Sequence, residues 1–97
     1  MRFEWDERKN KANQKKHGLG FEEATFVFRD KRIISVLDDR YDYGEERWVS
    51  TGSLFEEVVV VVAHTVKEDD DGEEIIRIIS ARKATRQERR RYHHHDR

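Results

Sequence analysis

Val58-Val59-Val60-Val61-Val62-Ala63 is a run of β-branched residues closed by an alanine, and Ile75-Ile76-Arg77-Ile78-Ile79-Ser80-Ala81-Arg82 follows it across Asp69-Asp70-Asp71-Gly72. Stiff β-branched side chains favour strands, and an apolar run without polar alternation has both faces covered, so 58–63 is predicted to be a central strand. The Asp-Gly cluster predicts a tight turn, which makes the two runs an antiparallel hairpin. The rest of the chain is read outward from this pair.

Downstream, Thr85-Arg86-Gln87-Glu88 has the capping-box form. A final helix is therefore predicted from just after Thr85 to about Tyr92, with 93–97 fraying. Upstream, Ser53 to Glu57 is short enough for a hairpin connection, preceded by a half-buried strand over Glu46 to Leu54. Asp38 to Gly44 is a polar connection interrupted by Tyr41 and Tyr43, and Ile33 to Leu37 reads as the first full strand. Phe21, Ala24, Thr25 and Phe28 recur at helical spacing, predicting a helix over 20–28 with Arg29-Asp30-Lys31 as its exit turn. Asp6 is an N-cap for a first helix over 7–16, and Gly18 fits its C-terminal stop. Apart from Ala12 that helix has almost no apolar face, so it is expected on the surface, held by long side-chain stems and by Trp5. Phe3-Glu4-Trp5 is an extended opening. The fold class is α+β: a small antiparallel sheet, a meander of about four strands, with two N-terminal helices and a C-terminal helix.

The chain has 97 residues, of which 42% are charged and 35% hydrophobic, so residues 1–97 are expected to form a single domain. It has no cysteine, which removes disulfides, thiolate metal sites and a catalytic thiol. The N-terminus carries no apolar leader segment and 58–63 is far too short to span a bilayer, so no membrane partner is expected and the cytoplasm is the expected compartment. The net charge of −1 conceals blocks. Residues 1–17 carry +3 and 77–97 carry +6, whereas 38–57 and 67–74 carry −5 each. A basic surface beside acidic loops suits a polyanion partner; a salt-bridged surface without a partner is the plainer reading.

On the last strand, alternation puts Arg77, Ile79 and Ala81 on one face and Ile76, Ile78, Ser80 and Arg82 on the other. Arg77 amid isoleucines is either a phosphate grip or one half of an ion pair with Glu45, Glu46, Glu56 or Glu57. Ser80, Arg82, Lys83 and Arg86 gather where that strand meets the final helix, a phosphate site or a solvated basic turn. His17 and His64 have a near-neutral imidazole for acid–base work, or serve as a helix C-terminal cation and the polar end of a strand. Glu45-Glu46-Arg47 offers a carboxylate base and a second arginine, or a cross-strand salt bridge. Tyr41, Tyr43, Trp48 and Tyr92 either stack on bases or fill core. His93-His94-His95 binds a metal adventitiously at most, so no metal site is expected. With no Walker loop, dinucleotide fingerprint or nucleophile elbow, nucleotide-driven and acyl-transfer chemistry drop out.

Three segments combine distinctively: Phe3-Glu4-Trp5-Asp6 with Lys9, Asn13 and Lys16-His17-Gly18; Glu46-Arg47; and Arg77 to Ala84 with Glu88 and Tyr92. Together they resemble the BrnT family of ribonuclease toxins from bacterial type II toxin–antitoxin pairs, which is similar in fold to RelE-type toxins. The resemblance implies a growth-inhibiting, metal-independent endoribonuclease that needs no cofactor. It also implies neutralisation by a BrnA-type antitoxin with a ribbon-helix-helix domain, through which the complex binds operator DNA and represses its own operon. Metal-free cleavage by the RNA 2′-hydroxyl needs a base, an acid and cations around the phosphorane-like transition state. Read on this resemblance, Arg77 and Arg82 grip the phosphate, with Arg47 a further cation and His64, Glu46 and His17 the candidates for proton transfer. Ser80, Lys83, Arg86, Tyr92, His17 and Lys9 are the expected RNA and phosphate contacts. The acidic stretch 67–74 departs from a compact family member, and folded over the site it would repel RNA. The alternative is a catalytically silent module that acts with its antitoxin as a corepressor.

Overall fold

In the computed structural model, which describes residues 1–40, 42 and 44–95, the valine run belongs to β4 (Val58–Glu68), flanked by β3 (Arg47–Leu54) and β5 (Glu74–Lys83). It is central, as its two-sided apolarity requires. Beyond β3 lies β2 (Ile34–Asp38), and beyond β5 lies β1 (Arg2–Glu4). The β2–β5 meander is antiparallel throughout, whereas β1 runs parallel to β5 with Phe3 beside Ile76. The sheet thus has five strands where about four were expected, because the extended opening docks on the free edge of β5.

The two faces of β4 feed two cores. Val60 and Val62 pack with Leu19, Phe21, Ala24, Val27, Ile76, Ile78 and Ala81 beneath the N-terminal helices. Val59 and Val61 pack on the other face with Ala84 and Tyr92, beneath α3 (Arg86–His94). No helix of the described residues is long and apolar enough to cross a membrane.

Helix α1 (Glu7–His17) starts where Asp6 Oδ1 accepts the Arg8 amide at 2.8 Å and ends at Gly18, whose φ is 68°. Long side-chain stems do not provide its main attachment: buried asparagines do. Asn13 Oδ1 accepts the Ala81 amide at 3.1 Å, and its Nδ2 donates to Ala81 O at 2.7 Å and Leu19 O at 2.8 Å. Ala81 lies beyond the reach of β1, so the Asn13 amide stands in for the missing neighbouring strand. Asn10 Oδ1 accepts the Phe21 amide at 2.9 Å, pinning the start of α2 (Phe21–Ala24).

The helix expected over 20–28 tightens after Ala24 into a 3-10 turn, Thr25–Arg29. β-branched Thr25 and Val27 and two phenylalanines hold an α-helix poorly, and the tighter turn carries Val27 down onto Gly52. A Cβ at Gly52 would lie 2.8 Å from Val27 Cγ1, so glycine makes that approach possible.

A bulge decides which way the end of β5 faces. Ala63 pairs with Ser80 but His64 pairs with Ile78, leaving Ile79 as an extra residue. The simple alternation expected for β5 therefore fails beyond Ile78. Ala81 joins Ile76 and Ile78 in the helix-covered core, while Arg77, Ser80 and Arg82 come to share the opposite face with Thr65, Ala63 and Val61. The acidic turn 69–73 continues the β4–β5 hairpin, closed by Asp69 N to Glu73 O at 2.9 Å, with Glu68 paired to Glu74. It therefore extends the sheet at the end nearest Arg77.

Candidate active site

Helix α3 covers only part of its face. Next to it, Arg47 on β3, Thr65 on β4 and Arg77 on β5 form one cross-strand row. Residues directly opposite in antiparallel strands project to the same side, and two strand spacings set the arginine Cα atoms about 10 Å apart. Two guanidinium groups at that separation can converge on one anion. The anion there is the protein's own. Glu45 Oε1 accepts from Arg77 Nη2 at 2.5 Å and lies 3.9 Å from Arg47 Nε. Glu45 and Arg77 remain 38% and 42% exposed, so a solute can reach both. Of the carboxylates expected as ion-pair partners for Arg77, Glu45 is the one in place; Glu46 is exposed beside it at the mouth of β3.

The structure gives Arg82 a different partner. Its Nη1 and Nη2 donate to the two Glu88 oxygens at 2.7 and 3.0 Å. Glu88 also accepts the Thr85 amide at 2.8 Å, while Thr85 Oγ1 accepts the Glu88 amide at 3.2 Å. The Arg82 fork, with the capping amide, holds the Glu88 carboxyl down at about 2, and the pair in turn raises Arg82 above its ordinary value. Arg82 thus anchors α3 to β5, and its guanidinium is committed to the Glu88 carboxylate that caps the helix. Ser80 is exposed on the same face between the two arginines of β5.

The other expected residues scatter. His64 is 2% exposed and shares the opposite, helix-covered face with Val60 and Val62, so it is not brought to the arginine pair. Its Nε2 lies 2.6 Å from Ser50 Oγ, itself 2.7 Å from Ser35 Oγ, and the Phe28 ring meets it edge-on at 4.9 Å. Burial holds its pKa below the ordinary 6.5, so it is a neutral core histidine in this fold, against the expectation of an acid or base. Tyr92 is 5% exposed and cannot stack on a base. Its hydroxyl donates to Asp30 Oδ2, and burial with that carboxylate pushes the phenol up to about 12. Lys9 is exposed and His17 half-buried on α1, which is bonded to the backbone edge of β5 at Ala81 rather than beside the arginine row. Lys83 pairs with Val60 at the end of β5 and so also faces away, while Arg86 opens α3 in solvent. Trp48 is half-buried opposite His64. Tyr41 and Tyr43 lie outside the described residues. Among the described residues, no group of three or more His, Cys, Asp or Glu is placed to hold a metal.

Two features, Asp30 and Phe55, were not singled out from the sequence, and a third, Glu45, was not set apart from its neighbours. Glu45 was one of four carboxylates, and only the register that sets Arg47 opposite Thr65 selects it. Asp30 reads as a turn residue, yet it accepts the Ser53 amide at 2.7 Å, the Arg32 amide at 2.9 Å and the Tyr92 hydroxyl. Phe55 reads as part of a hairpin, but it is a large apolar residue left 66% exposed.

The family pattern described as "Ribonuclease toxin, BrnT, of type II toxin-antitoxin system" matches residues 5–88. Among solved structures, the ribonuclease toxin BrnT of Brucella abortus superposes with a TM-score of 0.61 at 23% identity, covering 89% of this chain and 99% of that one. That likeness is one of fold. No curated protein matches the chain. The matched span starts just after β1 and takes in both arginines of the row and the Arg82–Glu88 pair, and on that span the chain belongs to the BrnT family of ribonuclease toxins of type II toxin–antitoxin systems.

Proposed function

We propose that the protein is a metal-independent endoribonuclease whose phosphate site is the Arg47–Arg77 pair. The observation that carries this reading is the Glu45 carboxylate oxygen set between the two guanidinium groups, where a phosphate oxygen fits equally well. When the RNA phosphate takes that place, Glu45 is released beside it. The 2′-hydroxyl then loses its proton to the carboxylate of Glu45 or Glu46 as its oxygen bonds to phosphorus, and the bond from phosphorus to the 5′-oxygen breaks. The departing 5′-oxygen takes a proton from water at this exposed face, leaving a 2′,3′-cyclic phosphate and a 5′-hydroxyl. The arginines stabilise charge that grows on the equatorial oxygens, an effect worth roughly 100- to 1,000-fold per donor in comparable sites. Ser80, exposed on the same face, orients the strand. Both cores share one sheet, which supports treating residues 1–97 as one domain.

Membership of a type II family implies a cognate antitoxin. We take it to be of the BrnA type, carrying a ribbon-helix-helix domain that contacts operator DNA, with the toxin acting in the bacterial cytoplasm. The test is cleavage of single-stranded RNA by purified protein in excess EDTA, with Arg77→Ala in parallel. Cleavage that survives chelation and falls roughly 100-fold in the variant is expected. Cleavage abolished by EDTA, or unchanged in Arg77→Ala, overturns the reading. The Glu45 clamp also favours a second one, a silent corepressor whose arginine pair stays filled. That protein would leave RNA intact while its antitoxin complex binds the operator.

A further inference from the structure

A cleft of about 840 Å³ opens at the opposite end of the sheet from the Arg47–Arg77 row, between the β3–β4 hairpin, the turn after Arg29 and the end of α3. Phe26, Arg29, Lys31, Arg32, Phe55 and His93 line it. Its size suits a nucleotide rather than a single ion. The ring of Phe55, a residue 66% exposed, lies 5.1 Å from that of Phe26, and the Arg29 guanidinium sits 4.8 Å over the Phe26 ring. The Asp30 carboxylate also belongs to the wall, but its oxygens are taken up by Tyr92, Ser53 and Arg32. Glu56 adds one exposed carboxylate against Arg29, Lys31 and Arg32, so the cleft presents an excess of cations and an aromatic face to solvent.

A second observation marks Phe55. It and Glu56 have φ of 52° and 64°, the left-handed region that a hairpin turn normally fills with Asn or Gly. Non-glycine residues persist there at a cost in stability, and such strain collects at sites that use the side chain. A glycine would make a better turn; a phenylalanine makes a stacking platform.

We propose that this cleft is a second contact for single-stranded RNA, with a base stacked on Phe55 and its phosphate drawn in by Arg29 and Lys31. The inference rests on the ribonuclease reading of the previous section. Ser53, at the cleft, lies six residues along β3 from Arg47 and on the same face, so the two contacts are about 20 Å apart. An extended strand of several nucleotides spans them. The cleft then sets how much RNA flanks the cut and holds it in register, in the way aromatic and basic grooves hold single strands without reading sequence.

The test is fluorescence anisotropy with a labelled, uncleavable 2′-O-methyl RNA strand long enough to reach both contacts, alongside cleavage of its ribose counterpart. Phe55→Gly removes the ring while easing the backbone, and its thermal midpoint is compared with wild type to verify folding. Expected are affinity at least about fivefold weaker in Phe55→Gly, recovery in Phe55→Trp, and a shallower salt dependence in the Arg29→Ala, Lys31→Ala double variant. Wild-type affinity in folded Phe55→Gly overturns the proposal, even where wild type cuts RNA and the ribonuclease reading stands. Binding through Phe55 without cleavage by wild type upholds the cleft and removes the ribonuclease reading instead. If Phe55→Gly loses only its grip on a protein antitoxin, the cleft is a protein-docking site and the RNA proposal fails.

Discussion

Asn13 shows how one polar side chain can do what an apolar face usually does. Its amide satisfies the N–H and C=O of Ala81 and the C=O of Leu19, all in a buried place. Asn13→Ala leaves those three groups without partners, and a buried unsatisfied group costs about 1–3 kcal/mol. A loss of about 3 kcal/mol is expected in urea unfolding, enough to threaten a small domain. An unchanged midpoint would show that water replaces the amide. Glu45 has the opposite character, since it occupies the arginine pair instead of building the fold. Removing it takes the carboxylate away from both guanidinium groups and deletes a proton acceptor. Glu45→Ala should therefore bind RNA more tightly while cleaving it more slowly, with KM and kcat falling together. A fall in kcat with a rise in KM would instead make Glu45 a substrate-binding residue.

Strands and helices differed in how far they could be read before the structure. The valine run, the Asp-Gly turn and the capping box each carry a local signal, and β4, the β4–β5 hairpin and α3 formed where those signals lie. The bulge has none: Ile79 is a residue like its neighbours, and only pairing with β4 reveals that it is extra. Because one shift in register turns every later side chain over, missing it misplaced Ala81 and Arg82 together. The candidate site was legible as residue types, in Arg47 and Arg77, but not as geometry. Long-range pairing sets them in one row and sends His64 to the other face. Helix α3 has little apolar surface besides Tyr92, so its attachment depends on the Arg82–Glu88 fork. Arg82→Ala and Glu88→Ala should each lower stability by about 1–3 kcal/mol, and the double variant by clearly less than their sum. Additive losses in urea unfolding would mean that the fork contributes nothing of its own.

The molecule as a whole joins two unlike faces through one sheet, and its pH dependence should report both. On the helix-covered face, burial keeps His64 neutral below its ordinary 6.5. The unfolded chain takes up a proton there that the folded chain refuses, so stability is full above about pH 7 and falls as pH drops below 6.5. On the α3 face, Glu88 is held at about 2 against an ordinary 4.5. Burial alone would raise Asp30, but bonds from Tyr92, Arg32 and Ser53 outweigh it and keep that carboxyl below 3.8. Their contribution is present above the ordinary carboxylate range and is lost as pH falls from about 4.5 towards 2. Tyr92, raised from 10 to about 12, acts at the other end: the unfolded chain gives up the phenolic proton first, so stability declines as pH rises through that interval. Urea midpoints should accordingly form a plateau between roughly pH 7 and 10, with one descent below 6.5 and a separate one below 4.5. In His64→Gln the first descent should flatten while the second persists, because the two arise on opposite faces of β4. If the slope between pH 7 and 5 is the same in wild type and variant, the buried imidazole is not what makes this fold sensitive to mild acid.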